Sequence, residues 1–363
     1  VRILASASPG EVRVAAWNGQ LVDAAIWRPG SPDGVGDLHR GRIGKIVPAM
    51  AGAFVVLDGA EGFLPDSDGA RGASEGTTLA VRVIRAAQGG KGPRLARAED
   101  DPGQGQPALL ARGPDAVTRL AELHPQAEVI VDDPALAAQL RPGLGPRLRI
   151  GTAFDEAVSS VFDALLAPDA ALPGGARIHV QATAALTAID VDLGAATADR
   201  RDKAGAQAAA NRALIPTLAA QIRLRNLSGA IVVDLGGMAM KRRAALGPDF
   251  VAALATDPLK PRFLGFSALG LAEILRPRIY PPLADYLSGP LATGLAALRA
   301  AALEVAARPQ RALALRADTT VIAALRQDGA ALADFARRAG RDIALIETRA
   351  AVAPAWSIED AHG

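Results

Sequence analysis

The sequence predicts a multidomain α+β protein, and three observations carry that reading. A length of 363 residues exceeds what one small core organises and suggests about two to four domains. Apolar residues alternate with period two in many short runs over the first hundred positions, the mark of antiparallel strands. Farther along, β-type runs alternate with segments of helical period, as in AVTRLAELH, AEVIVDD and PALAAQL.

In order, VRILASA, GEVRVAAW and LVDAAIW are separated by Pro9-Gly10 and Asn18-Gly19 turns and form a small sheet,. Residues 31 to 37 are a Ser-, Pro-, Asp- and Gly-rich junction,. From about Leu38 to Ala98, short glycine-punctuated strands fit a five-stranded barrel of the oligonucleotide-binding type,. Phe54 and Phe63 are candidate base-stacking platforms there, with Arg40, Arg42, Lys45, Lys91 and Arg94 as candidate phosphate contacts,. A phenylalanine in a short strand also serves as core, and pattern alone leaves both roles open. DPGQGQP closes this unit. The isolated N-terminal sheet needs a cover for one face, so residues 1 to 30 and 107 to 165 are expected to form one discontinuous layer with the barrel inserted. Asp132 and Asp133 precede Pro134 as a helix start,.

GARIHVQ and ALTAIDVDLGA read as neighbouring strands, residues 205 to 225 as a long helix irregular at Pro216, and AIVVDLGG as a central strand,. Residues 249 to 254 read as helical, and PRFLGFSALGLAEILRPR as a last strand and helix. An alanine-rich helix, an RALALRA strand, two further helices and an IALIETR strand make a small α+β end domain, with the PAWSIEDAHG tail expected to be poorly ordered,.

Composition narrows the chemistry. Half of the residues are hydrophobic, but alanine inflates that share, and no run reaches the roughly 18 apolar residues of a membrane span. An early Glu11 interrupts any secretory core, so no span and a cytoplasmic location are expected. The chain has no cysteine, which excludes disulfides, thiolate nucleophiles and cysteine zinc sites. With four histidines scattered at His39, His124, His179 and His362, a metal site must rest on carboxylates, favouring magnesium or manganese. A formal net charge of +2 decides little about nucleic acid.

Asp190 and Asp192, two apart on a strand, face one side, while Ile189 and Val191 face the other. Asp234 ends an apolar strand and leads into Gly236-Gly237, at the end where ligands collect in open α/β layers. Carboxylates so placed call for a cation, and magnesium would suit phosphodiester hydrolysis. The plainer alternative makes Asp192 a solvated edge residue and Asp234 a turn cap. Lys241, Arg242 and Arg243 follow as a basic cluster suited to phosphates or merely solvated, and Arg276 and Arg278 extend that argument,. Arg223 and Arg225 need not act together.

The segments IRLRNLSGAIVVDLGGM, LPGGARIHVQATAALTAIDVDLGA and RGRIGKIVPAMAGAFVVLDGAEGFLP resemble the catalytic region of the ribonuclease E and ribonuclease G family. The resemblance implies a discontinuous ribonuclease-H-like scaffold (residues 1–33 and 101–169), an inserted OB-type RNA-binding barrel (34–100), a deoxyribonuclease-I-like catalytic domain (170–284) and a small C-terminal domain (285–363). It implies a magnesium-dependent endoribonuclease cutting single-stranded, AU-rich RNA, with Asp190 and Asp234 as metal ligands and Asp192 beside them. Phe54, Phe63 and Lys91 match family residues that stack on and hold RNA, while Arg40, Lys241 and Arg242 are expected phosphate contacts.

Departures accompany the match. Asp192 stands where the family usually has asparagine, and Gly236 and Gly237 where it tends to have a further aspartate; Asn211 keeps a polar helix position. Residues 100 to 107 replace the family's separate 5′-monophosphate pocket, and IYPPLADYLSGP replaces the cysteine zinc link. No zinc link is therefore expected, and a metal-free homodimer through the C-terminal domain stays open. The alternative function is a catalytically weak or inactive RNA-binding module; a purely structural processing scaffold is a third reading.

Overall fold

The computed structural model describes residues 1–194, 203–348 and 356–361; His362 lies outside them. In chain order the elements are β1, β2 and β3 (Arg2–Ser8, Glu11–Trp17, Leu21–Trp27), β4 to β9 (Leu38–Val47, Gly52–Val56, Glu61–Pro65, Thr78–Arg85, Arg94–Arg97, Ala108–Ala111) and α1 (Ala116–Leu123). Next come β10 (Glu128–Val131), α2 (Pro134–Leu144), β11 (Leu148–Ile150), α3 (Glu156–Leu166), and β12, β13 and β14 (Asp169–Ala171, Arg177–Ala182, Leu186–Asp192). Then follow α4 (Lys203–Leu224), β15 (Gly229–Leu235), α5 and α6 (Met240–Arg243, Gly247–Leu254), and β16 and β17 (Arg262–Phe266, Ala272–Arg276). The last are α7 (Gly289–Ala307), β18 (Leu313–Asp318), α8 and α9 (Thr319–Gln327, Gly329–Ala339), β19 (Ala344–Thr348) and β20 (Trp356–Asp360).

The chain divides into two compact units. The first comprises Val1–Asp33, Pro114–Ser159 and Leu283–Gly363, the second Gly34–Gly113 and Ser160–Pro282. In the first, one sheet runs β11-β10-β1-β2-β3, with β1 parallel to β10 and antiparallel to β2. Alternating Ile3, Ala5, Val12 and Val14 are buried against Leu120 of α1 and Leu136 and Leu140 of α2,. Asp115 and Asp133 start these helices by accepting backbone N–H bonds,. A second sheet, β19-β18-β20, packs with α7, α8 and α9.

One expectation is corrected here. The tail is ordered where it is described: Trp356–Asp360 pairs antiparallel with β18, because its period-two residues Trp356 and Ile358 pack on that core. Helix α7 is long and apolar enough to pass for a membrane span by mean composition, although Arg299 and Glu304 interrupt its apolar run. Its Leu295, Leu298, Ala301 and Val305 are core residues of the C-terminal sheet, so the apolar character serves packing.

In the second unit, the pairings β5-β6-β8-β7-β4 with β5 back on β4 close a barrel-like sheet, and β9 adds to β4. Ala53, Val55, Leu64, Val81 and Leu95 fill it. The chain leaves and returns at one point: Asp37, almost wholly buried, accepts the Gly113 N–H at 2.7 Å and the Arg112 guanidinium at 2.8 Å. The other sheet runs β12-β13-β14-β15-β17-β16. One face carries Ile189, Val191, Ile231, Val233 and Leu235 onto α4 and α6. Pro216 sits inside α4 without ending it. The segment expected to give a strand and a helix is instead the hairpin β16–β17, whose turn is closed by Gly270 donating to Ser267 with φ of 84°,.

Candidate functional site

The second sheet has one face left open, and alternation decides what stands on it. In β14, Thr187, Ile189 and Val191 are buried while Asp190 and Asp192 are exposed; in β15, Asp234 is exposed between buried Val233 and Leu235. The strands are parallel and Asp190 is the register partner of Asp234. The two carboxylates thus stand side by side at the carboxyl ends of neighbouring strands. Asp192 shares their face but accepts the Gly194 N–H at 2.9 Å, a turn-forming bond,. His179 lies opposite Asp190 on β13 and bonds Asp169 at 2.9 Å. Among the described residues, no group of three or more His, Cys, Asp or Glu side chains is arranged to hold a metal ion.

Sequence reading underweighted two residues beside the pair. Arg243 donates to Asp234 at 3.1 Å while also holding the Met238 and Gly270 carbonyls, with its side chain only 12% exposed against 55% for Asp234. Nothing in local spacing separates Arg243 from exposed Lys241 and Arg242, which the structure leaves at the surface. Asn211, fully buried on α4, donates to the Gly236 carbonyl at 3.0 Å and to Gln207. It ties the helix to the turn that follows Asp234.

Two arginines of the sequence argument are spent on the fold. Arg276 is buried, bonds Asp257 at 2.7 Å and reaches Asn226. Arg225 donates to Gln221 and to the Ala167 carbonyl, and burial lowers its pKa. Neither is presented to solvent as a phosphate contact. Arg40 is likewise engaged, its guanidinium holding the Pro102 carbonyl at 2.5 Å and that of Gln106 at 3.2 Å.

On the barrel, Ala53 and Val55 point inward and Phe54 outward. Phe54 is the cross-strand partner of Phe63, and their rings meet edge to face at 5.5 Å. Both remain half-exposed, leaving aromatic surface available to a flat partner. Lys91 is exposed, in a turn closed by the Gln88–Lys91 bridge.

Residues 152–279 match the Ribonuclease E/G family. The chain is 29% identical over 191 residues to Ribonuclease E of a Synechocystis species, covering 47% of this chain and 28% of that protein. It is 35% identical over 116 residues to Ribonuclease E of a Nostoc species, covering 31% and 16%. Against Ribonuclease G of Escherichia coli K12 it is 35% identical over 109 residues, covering 30% and 22%. The matches span less than a third of these relatives' lengths.

Proposed function

We propose that the chain is a metal-dependent endoribonuclease that hydrolyses internal phosphodiester bonds of single-stranded, AU-rich RNA without a dedicated 5′-monophosphate sensor. The observation that carries this reading is the register of Asp190 with Asp234, inside the segment that matches a ribonuclease family. The donor set suits magnesium, or manganese in its place: carboxylates are hard oxygen ligands, and magnesium uses one or two of them while keeping several waters. Bound there, the ion would supply positive charge to a phosphate and a polarised water.

The protein's own residues do the rest. Arg243 holds one oxygen of Asp234. Asn211 holds the turn behind it. Phe54 and Phe63 stack on bases without reading sequence, and Lys91 adds charge beside them,. The relatives bear the names Ribonuclease E and Ribonuclease G, which supports RNA as substrate. A homodimer through the C-terminal sheet belongs to the same proposal, and sedimentation of the full chain tests it.

A second reading, a catalytically weak RNA-binding module, is favoured by Arg243 already neutralising Asp234 and by Asp192 being engaged with Gly194. Incubation of terminally blocked, unstructured RNAs with the chain in magnesium separates the two. Internal products that vanish on chelation support the nuclease; RNA binding without products over several substrates selects the binding module. Matched 5′-monophosphate and 5′-hydroxyl RNAs should be cut within about tenfold of each other.

A further inference from the structure

One row of ionisable side chains crosses the open sheet face. Asp169 of β12 is the register partner of His179 on β13, His179 of Asp190 on β14, and Asp190 of Asp234 on β15. Directly paired residues share a face, so the four side chains stand abreast at about 4.8 Å per strand. Asp190 and Asp234 already have a part in the proposed reaction. Asp169 and His179 have none.

These two are joined at 2.9 Å through Nδ1, with side chains 58% and 50% exposed. An exposed pair of this kind contributes little to folding, and neither side chain belongs to the core beneath the sheet. A carboxylate oxygen only accepts, so Nδ1 is the donor and carries a hydrogen. Nε2 is the ring nitrogen left for chemistry, and among the described residues the ring makes no other hydrogen bond. A carboxylate that fixes one ring nitrogen sets the tautomer and orientation of the other. Hydrolysis of a phosphodiester, meanwhile, releases an alkoxide unless a proton arrives as the bond breaks. Arg243 and Arg177 keep their protons, and Gln181, on the same strand as His179, has none to give. His39 is buried in the barrel and His124 belongs to the first unit. Among the described residues, His179 is the imidazole that stands on this face.

We propose that His179 is the proton donor to the leaving oxygen of the scissile phosphodiester, with Asp169 as its positioning residue. The inference rests on the nuclease reading above and assigns a step to two residues outside it. In that step the oxygen of a water bonds to phosphorus as the bond from phosphorus to one bridging oxygen breaks. The electron pair of the broken bond stays on the departing oxygen, which takes the proton from Nε2. The neutral ring regains a proton from solvent, to which the attacking water has given one.

The test compares two AU-rich RNAs cut by the full chain in magnesium. Product ends from wild type show which bridging oxygen leaves, and the second RNA carries sulfur in its place at that linkage. A thiolate departs without a proton, so only the oxygen substrate needs the donor. His179→Gln keeps an N–H for Asp169 but has no acidic proton; it should cut the oxygen RNA about a hundredfold more slowly than wild type. On the sulfur RNA it should come within about threefold of wild type. Asp169→Asn should show a smaller loss with the same relief by sulfur. In EDTA, nitrogen spectra of the histidine-labelled chain read the neutral His179 ring without metal or substrate. Its proton should sit on Nδ1 in wild type and lose that preference in Asp169→Asn. Undiminished cleavage by His179→Gln overturns the donor while leaving the nuclease standing, and so does an equal loss on both RNAs, which marks a structural role. A neutral wild-type ring protonated on Nε2 overturns the part given to Asp169. A wild type that binds RNA and cuts neither substrate overturns the nuclease reading and the donor together.

Discussion

The two units treat charge in opposite ways. In the first, ionic groups complete one another. Buried Glu11 receives Arg28 at 2.9 Å and Arg299 at 2.5 Å, Asp133 caps α2 and receives Arg337 and Arg338, and Arg119 meets Asp33 at 3.0 Å. In the second, Asp257 likewise takes Arg276 at 2.7 Å, but the open sheet face keeps Asp190 exposed and leaves Asp234 55% exposed beside Arg243. Closed networks fix one arrangement of the chain, whereas uncompensated charge waits for a ligand. The difference sets a unit of closed ion pairs against one that keeps carboxylates on an exposed sheet face.

The sharpest way to break that contrast is to remove the carboxylates. Asp190→Ala and Asp234→Ala should each lower RNA cleavage by about a hundredfold or more, with RNA affinity in EDTA within about twofold of wild type; quantified product formation and binding on the same preparations check both halves. Equal cleavage by both variants would move the reaction elsewhere.

Glu11→Gln tests the scaffold side. It strands two guanidiniums in a buried setting and should cost about 3 to 5 kcal/mol of stability, read by denaturant melts. Burial pushes the Glu11 carboxyl up, but Arg299 and Arg28 outweigh it and hold it below its ordinary value. Its contribution is therefore full above the ordinary carboxylate range and is lost as pH falls through the depressed value. The wild type should lose this increment in acid and the variant should not; parallel acid melts for both would refute the network's role.

Smaller effects lie on the barrel. Phe54→Ala should weaken RNA binding about tenfold through lost stacking, with the salt slope unchanged. Arg40→Gln should change it by less than about twofold, since that guanidinium holds main-chain carbonyls at 102 and 106,. A large loss of affinity with Arg40→Gln would place RNA on a group the fold occupies.

Alternation made most strands legible, including the common face of Asp190 and Asp192. The pairing of Asp190 with Asp234 is a matter of register between distant segments, which spacing along one strand cannot supply. The β16–β17 hairpin was hidden because GFSALGLAE has few period-two residues and two glycines, and helical spacing fits it as well. Arg243 looks like its neighbours Lys241 and Arg242 until folding turns it toward Gly270. A cavity of the second unit is the extreme case: Arg85, Arg94, Arg262 and Arg278 line it together, and no window of sequence contains them all. Arg276, by contrast, looked available for phosphate and is consumed by Asp257.

Asp37 carries a consequence for the chain's architecture. One carboxylate binds both the residue that closes the barrel segment and the arginine before it, so the polypeptide departs and comes back through a gap one side chain wide. A segment cinched at its own base adds little loop-closure entropy to the host, whatever its length. Residues 34 to 113 are in this sense a cassette: a short turn in their place leaves the hydrogen-bonded strands β1 and β10 equally far apart, and the same stitch lets the barrel travel into another host loop with its two ends already together.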